Sequence, residues 1–196
     1  LSAISGQISL RKFILSDAIV SYAVHDANGR TTRHALDTTN VSVEGLAVNN
    51  VKRELDWDKI RFDTQNLAFP LDNGFYTLRV GRVGLVNNNV SLNNLRLESA
   101  YSKEEFAYHH PKHSDWFVLK VGELSLSKID VMAYLRNKSL RIDEVKVNDA
   151  TLQNLKNQKI VVPHHEVPMI YSGLQKAPLS VDIRKVGIDN FTVVYE

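Results

Sequence analysis

Histidine is the residue type in this sequence that is best suited to chemistry. Five of the seven histidines lie in two proline-containing segments, where imidazole nitrogens could bind zinc beside Glu166. The candidate ligands are His109, His113, His164 and His165, and His110 follows the first of them. Neither segment has the helical HExxH arrangement, and about 50 residues separate the two. We therefore favour solvated or capping histidines in loops, and we predict no metal and no other cofactor.

Other signatures of catalysis are missing from the sequence. It has no cysteine, which excludes thiol chemistry, and it has neither a GxSxG nucleophile motif nor a glycine-rich phosphate loop. Neighbouring acids such as Asp143 and Glu144 would point to opposite sides of a strand, unlike the paired carboxylates of a glycosidase. The chain is predicted not to be an enzyme.

Composition and charge narrow the remaining classes. Apolar residues make up 43% and charged residues 23% of the 196 residues, as in folded domains. The formal charge is only +2 and no basic block stands out, so a nucleic-acid partner is not expected. No apolar run is long enough to span a bilayer, and residues 1–6 do not resemble a signal peptide. We expect a piece of a longer protein, with any membrane anchor upstream.

A repeated spacing of apolar residues identifies the elements that must position any site. Counted from the first apolar residue, apolar side chains fall at offsets 0, 2, 5, 7, 10 and 12, in five copies that begin at residues 8, 78, 119, 140 and 181, with Asn88 as the one polar exception. The first four positions of each copy are the predicted apolar groove or core residues: Ile8, Leu10, Phe13, Leu15, Leu78, Val80, Val83, Leu85, Leu119, Val121, Leu124, Leu126, Leu140, Ile142, Val145, Val147, Val181, Ile183, Val186 and Ile188.

This spacing fits strands and not helices. On a helix the offsets would scatter around the circumference, whereas in a strand residues two apart share a face. Each three-residue step would flip the face unless a bulge or a turn absorbs one extra residue. Charged residues or glycine fill the first step and mainly turn-forming residues fill the second, as at Asn148-Asp149. Each copy is therefore predicted to be a bulged β-hairpin or a sharp corner.

The predicted fold is all-β. We expect an elongated, curved antiparallel sheet or meander of repeated bulged hairpins, with an apolar concave face and few short helices. The helical candidates are residues 51–59 and 131–138. A single module over residues 1–196 is expected, with a possible internal boundary in the proline-containing loop 156–178.

Several segments resemble AsmA-like bacterial envelope proteins, in particular uncharacterised members from Bacteroidetes-type bacteria. They are residues 117–126 (FVLKVGELSL), 140–147 (LRIDEVKV) and 179–196 (LSVDIRKVGIDNFTVVYE), and residues 106–116 are similar to a linker in such proteins. The resemblance covers most of the chain. It implies a long curved sheet with an apolar inner face in the periplasm or cell envelope, tethered to a membrane through an upstream helix. Relatives are implicated in moving phospholipid between membranes or in outer-membrane assembly.

Two functional hypotheses follow. In the first, the apolar face forms a groove that binds or conveys lipid between membranes. In the second, the chain is a structural or outer-membrane assembly scaffold that binds another envelope protein through its sheet edges or loops.

Overall fold

The structure is a computed structural model that describes residues 7–25, 31–49, 54–71, 74–109, 116–131, 133–134, 139–155 and 180–196. These residues form nine strands and one four-residue helix. The strands are β1 (Gln7–His25), β2 (Thr31–Asn49), β3 (Glu54–Asp56), β4 (Lys59–Leu71), β5 (Tyr76–Val86), β6 (Asn89–Ser99), β7 (Trp116–Ser127), β8 (Ser139–Leu155) and β9 (Ser180–Tyr195), and the helix is α1 (Phe106–His109).

All nine strands belong to one sheet. Its order is β1-β2-β4-β5-β6-β7-β8-β9, and the short β3 pairs with β2 beside β4. Neighbours from β1 to β8 are antiparallel, which confirms the predicted all-β meander, whereas β9 is parallel to β8. A parallel neighbour requires the chain to cross back along the sheet before β9. The predicted loop 156–178, with its internal boundary, lies outside the described residues.

Apolar residues pair with apolar residues across the sheet. One row consists of Leu15, Val41, Phe62, Leu85, Val90, Leu126, Val145 and Val186, and another consists of Leu67, Val80, Leu95, Val121, Ala150 and Phe191. Directly opposed side chains in a sheet share a face, so each row lies on one side. A slip of one residue would move a strand's apolar side chains to the other side, and this fixes the register.

The three-residue steps of neighbouring strands lie at the same level of the sheet. The ladders leave one residue of each strand unpaired at this level, and these six residues, which we call the kink row, are Asn66, Gly81, Asn94, Gly122, Asp149 and Asn190. The asparagines and the aspartate have φ of 55–56°, in the left-handed region that these two residue types tolerate. Because each of the six strands from β4 to β9 carries its extra residue here, the pairing resumes in register beyond the kink row.

Glycine faces a left-handed residue wherever antiparallel strands meet in the kink row. A Cβ at Gly81 would lie 3.0 Å from the Cβ of Asn94, and a Cβ at Gly122 would lie 3.1 Å from that of Asp149. Between the parallel β8 and β9, by contrast, two left-handed residues face each other, and Asn190 Nδ2 donates a hydrogen bond to Asp149 Oδ1 at 3.0 Å. The composition of the kink row therefore depends on strand direction.

Both predicted alternatives for the repeat, hairpin and corner, occur. The residue at offset 9 is left-handed in all five copies; these residues are Asp17, Asn87, Lys128, Asp149 and Asn190. In the copies that begin at residues 8, 140 and 181 the strand continues through it, so the step is a corner. In the copy that begins at residue 78, it opens the hairpin loop between β5 and β6.

One of the helical candidates is wrong and the other is partly outside the described residues. Within residues 51–59, Glu54–Asp56 form β3 and Lys59 begins β4. A nine-residue segment is too short to hold an isolated helix, and pairing with β2 satisfies its backbone instead, as when Asp58 N donates to Glu44 O at 3.0 Å. Near residue 131, Tyr134 N donates to Asp130 O at 3.2 Å, which closes a single helical turn.

An aromatic cluster, which we call the end cluster, packs at one end of β5 and β7. Phe106 of α1 is 1% exposed, and its ring lies 5.4 Å from that of Tyr76, which in turn stacks on Phe117 at 4.6 Å. Phe75 and Tyr101 extend the cluster. Tyr76 lies two residues before Leu78 and shares its side of β5, so the end cluster covers one end of the apolar rows.

We predict that Gly81→Ala lowers the free energy of unfolding by about 1–3 kcal/mol, because its Cβ would press against the backbone-fixed Cβ of Asn94. Gly84→Ala is the matched control on the same strand. There the new Cβ meets only Ser91 Oγ, at 2.9 Å, and that hydroxyl can rotate away. Urea unfolding of both variants checks the prediction, and equal losses would contradict it.

Phe106→Ala should destabilise the fold by about 3–5 kcal/mol, because it leaves a cavity among the rings of the end cluster. Tyr108→Ala serves as the control, since this neighbouring side chain is 78% exposed and its loss should cost less than about 0.5 kcal/mol. Denaturant unfolding followed by near-ultraviolet circular dichroism measures both, and a small loss for Phe106→Ala would disprove the role of the end cluster.

Candidate functional site

The predicted groove or core residues differ in exposure according to their strand. Val80, Val121 and Ile142 are buried, and the other inner-strand members and Leu15 are half-buried. Seven are exposed, and all seven lie on the outermost described strands, β1 and β9: Ile8, Leu10, Phe13, Val181, Ile183, Val186 and Ile188. Neighbours within the sheet therefore shield the inner apolar side chains, while the outer ones remain open to solvent.

Strand β9 is the most exposed element of the described sheet. Fifteen of its 16 residues are exposed and Gly187 is half-buried, whereas Lys120 is the one exposed residue of β7. Phe191 and Val193 are 49% and 55% exposed although they pair with half-buried or buried residues of β8. Strand β9 thus presents both an apolar side and an outer edge.

Ion pairs hold β9 against β8. Arg184 Nε lies 2.7 Å from Asp143 Oδ1, and Lys185 Nζ lies 2.7 Å from Glu144 Oε1. Lys128, which directly follows β7, has its Nζ 3.4 Å from the second oxygen of Asp143, so this carboxylate has one basic partner on β9 and another at the end of β7. Exposed pairs of this kind contribute little stability individually, but opposite charges at equal offsets favour one register.

The copies that begin at residues 140 and 181 carry opposite charges at the same offsets, and this signal was missed in the prediction from sequence. At the first three-residue step, the sequence pattern predicts only an exposed bulge. The copy that begins at residue 140 has two acids there, and the copy that begins at residue 181 has Arg184 and Lys185. Complementary charge at equal offsets is what two parallel, in-register copies require, so this comparison would have indicated the direction of β9.

A shallow depression of about 520 Å³ lies over the middle of β2, β4, β5 and β6. Its polar lining includes Ser42, Arg61, Ser91 and the pair in which Arg82 Nε lies 2.6 Å from Asp63 Oδ2. The hydrogen bond and the charge of that carboxylate raise the pKa of Arg82. The Asp63 carboxylate is therefore committed to Arg82, and the depression presents no nucleophile with a base.

Of the four candidate metal ligands, only His109 lies among the described residues. His109 stacks on Tyr101, with ring centroids 4.3 Å apart, while His113, His164 and His165 lie outside the described residues. Among the described residues, no group of three or more His, Asp or Glu side chains is arranged to hold a metal. No helix in that part of the chain is long and apolar enough to cross a membrane.

Comparisons with family models, with curated proteins and with solved structures found no match to this chain. The similarity to AsmA-like proteins therefore stays a prediction from the segments quoted above.

The lysine ion pairs predict a loss of stability at high pH. Hydrogen bonds to Glu144 and Glu196, followed by the attraction of their charges, raise the pKa of Lys185 and of Lys103 above the ordinary 10.5. A raised folded-state pKa means that the contribution is complete below pH 10.5 and disappears as the pH rises through the raised value. The free energy of unfolding should therefore decline above pH 10.5.

The double variant Lys103→Met/Lys185→Met isolates these two groups from the other lysines. Its free energy of unfolding should fall less steeply than that of the unmodified chain over the same alkaline range. Denaturant unfolding at a series of pH values measures both slopes, and parallel slopes would show that the two ion pairs contribute nothing.

Proposed function

We propose that this chain is a non-enzymatic module of the bacterial cell envelope that binds or conveys lipid along an apolar side of its sheet. The observation that carries the proposal is the pair of apolar rows, one of which crosses the sheet from β1 to β9 and the other from β4 to β9. All nine described strands belong to this sheet, so the described residues supply no second sheet to cover the rows.

The proposal requires that rows on either side of the kink row share one side of the sheet. Burial supports this. Thr64 and Leu67 are three residues apart and are 1% and 7% exposed, while the left-handed Asn66 between them is exposed. An uninterrupted strand would turn Thr64 and Leu67 to opposite sides. The left-handed residue therefore has the role of joining successive apolar segments into one surface.

Lipid suits such a surface because an acyl chain needs no hydrogen bonds. Backbone groups of a sheet are satisfied between strands, so its sides present side chains only. Eight strands at about 4.8 Å spacing give a row roughly 34 Å long. One acyl chain spans about half of the roughly 30 Å hydrocarbon core of a bilayer, so the row is longer than one acyl chain. The end cluster would close one end of the surface, and the open rows on β1 and β9 would admit the chain.

The location in the periplasm or cell envelope, and attachment to a membrane through an upstream anchor, are proposed from the resemblance of residues 117–126, 140–147 and 179–196. A second candidate function is an assembly scaffold that binds another envelope protein through a sheet edge. The exposure of 15 of the 16 residues of β9 favours it.

We predict that the double variant Val186→Asp/Ile188→Asp lowers lipid binding by about tenfold or more, because it places two charges in apolar rows. Both side chains are already more than half exposed, so the fold should tolerate the change. The control is Thr192→Asp, because Thr192 alternates with Phe191 and lies on the opposite side of β9.

Native mass spectrometry after incubation with phosphatidylethanolamine and phosphatidylglycerol vesicles counts the lipids retained by each protein. We expect lipid on the unmodified chain and on Thr192→Asp, and little on the double variant. Absence of lipid from the unmodified chain, or equal retention by all three proteins, would refute lipid binding by this surface.

A further inference from the structure

The outer edge of β9 has a chemistry that identifies the kind of strand it can accept. We propose that this edge binds, in parallel and in register, a strand of another polypeptide that has the same apolar spacing, two acidic residues at offsets 3 and 4, and Asn or Asp at offset 9. The inference rests on the scaffold candidate above and is independent of lipid binding.

The existing contact between β8 and β9 is the template for this strand. The two are copies of the same unit and pair residue for residue at equal offsets, from Leu140 with Val181 to Leu152 with Val193. The acids at offsets 3 and 4 of β8 meet Arg184 and Lys185 of β9 at 2.7 Å each. At offset 9 the two left-handed residues are joined by a side-chain hydrogen bond.

The basic residues of β9 retain the capacity for a second partner. The side chains of Arg184 and Lys185 are 76% and 69% exposed. Asp143 shows that a charged group at this level can bind two partners at once, because it pairs with Lys128 just after β7 and with Arg184 on β9. Strand β8 is the one strand paired with β9 in the described part of the sheet.

The outer strands of a second copy do not fit this edge. In parallel register, another β9 or β1 would place basic residues against Arg184 and Lys185, since β1 has Arg11 and Lys12 at the same offsets. In antiparallel register, either strand would place an arginine opposite the left-handed Asn190. The antiparallel ladders of the kink row have glycine at that position. The edge therefore selects against self-association and in favour of an acidic strand.

The test uses the full chain and a labelled peptide with the sequence of residues 139–155 as the acidic strand. Fluorescence anisotropy should show saturable binding. A peptide with Asp143→Lys and Glu144→Lys should bind at least tenfold more weakly at low salt, and the difference should shrink at high salt. Binding of the two peptides with equal affinity, or no binding of either, would overturn the proposal.

Cross-linking determines the site and the direction of the added strand, because the chain has no cysteine of its own. Thr192→Cys in the protein should form a disulfide with a peptide that carries Thr151→Cys, the residue at the same offset, and not with one that carries Arg141→Cys. A link to Arg141→Cys alone would show antiparallel addition and would overturn the parallel assignment. Lipid retention by the same Thr192→Cys protein is measured separately, so failure of one function is distinguishable from failure of the other.

Discussion

The sheet depends on how one left-handed residue is accommodated at the same level of successive strands. A three-residue step in one strand alone would displace every later pair. When all neighbours carry the step at one level, the ladder continues undisturbed, as it does across Asn66, Gly81, Asn94, Gly122, Asp149 and Asn190. In the antiparallel pairs of the kink row the Cβ of the left-handed residue approaches the neighbouring strand closely, and glycine lies opposite it. The kink row is thus a constraint shared by six strands, and no strand can change it alone.

The apolar spacing permits either strand direction, and other residues decide between them. The series of offsets 0, 2, 5, 7, 10 and 12 is symmetric, because each offset subtracted from 12 gives another offset of the series. Strands β7 and β8 pair antiparallel at offsets that sum to 12, and β8 and β9 pair parallel at equal offsets. The apolar spacing therefore places apolar residues opposite each other in either direction. Charge and the residue opposite each left-handed position therefore determine direction: Gly122 faces Asp149 in the antiparallel pair, and Asn190 faces Asp149 in the parallel pair.

The spacing of apolar residues was sufficient to predict the all-β meander, because a period of two with regular three-residue steps is incompatible with a helix. It also placed turn-forming residues at the second three-residue step, and at this step Asp17, Asn87, Asp149 and Asn190 have positive φ, which their residue types tolerate. It did not indicate that the steps of neighbouring strands coincide, because that is a property of pairing and not of one strand. Local reasoning also failed at residues 54–59, where the edge of β2 recruits the backbone into the sheet. The burial of Phe106 depends on Phe75 and Tyr76, which are distant in sequence, so α1 was interpreted only as part of a linker.

The sides and the edges of the sheet are chemically separate, and this separation allows one chain to serve two kinds of partner. A side presents only side chains, so apolar rows on it attract molecules through the hydrophobic effect without any demand for direction. An edge presents backbone donors and acceptors, so a partner must be a strand, and its direction and register are then set by Arg184, Lys185 and Asn190. Long exposed edges invite aggregation, and basic residues at equal offsets of β1 and β9 oppose parallel pairing between copies. In the proposed edge binding, the charges that oppose self-association also define the partner, because repulsion between like strands and attraction to an acidic strand are one electrostatic property of the edge.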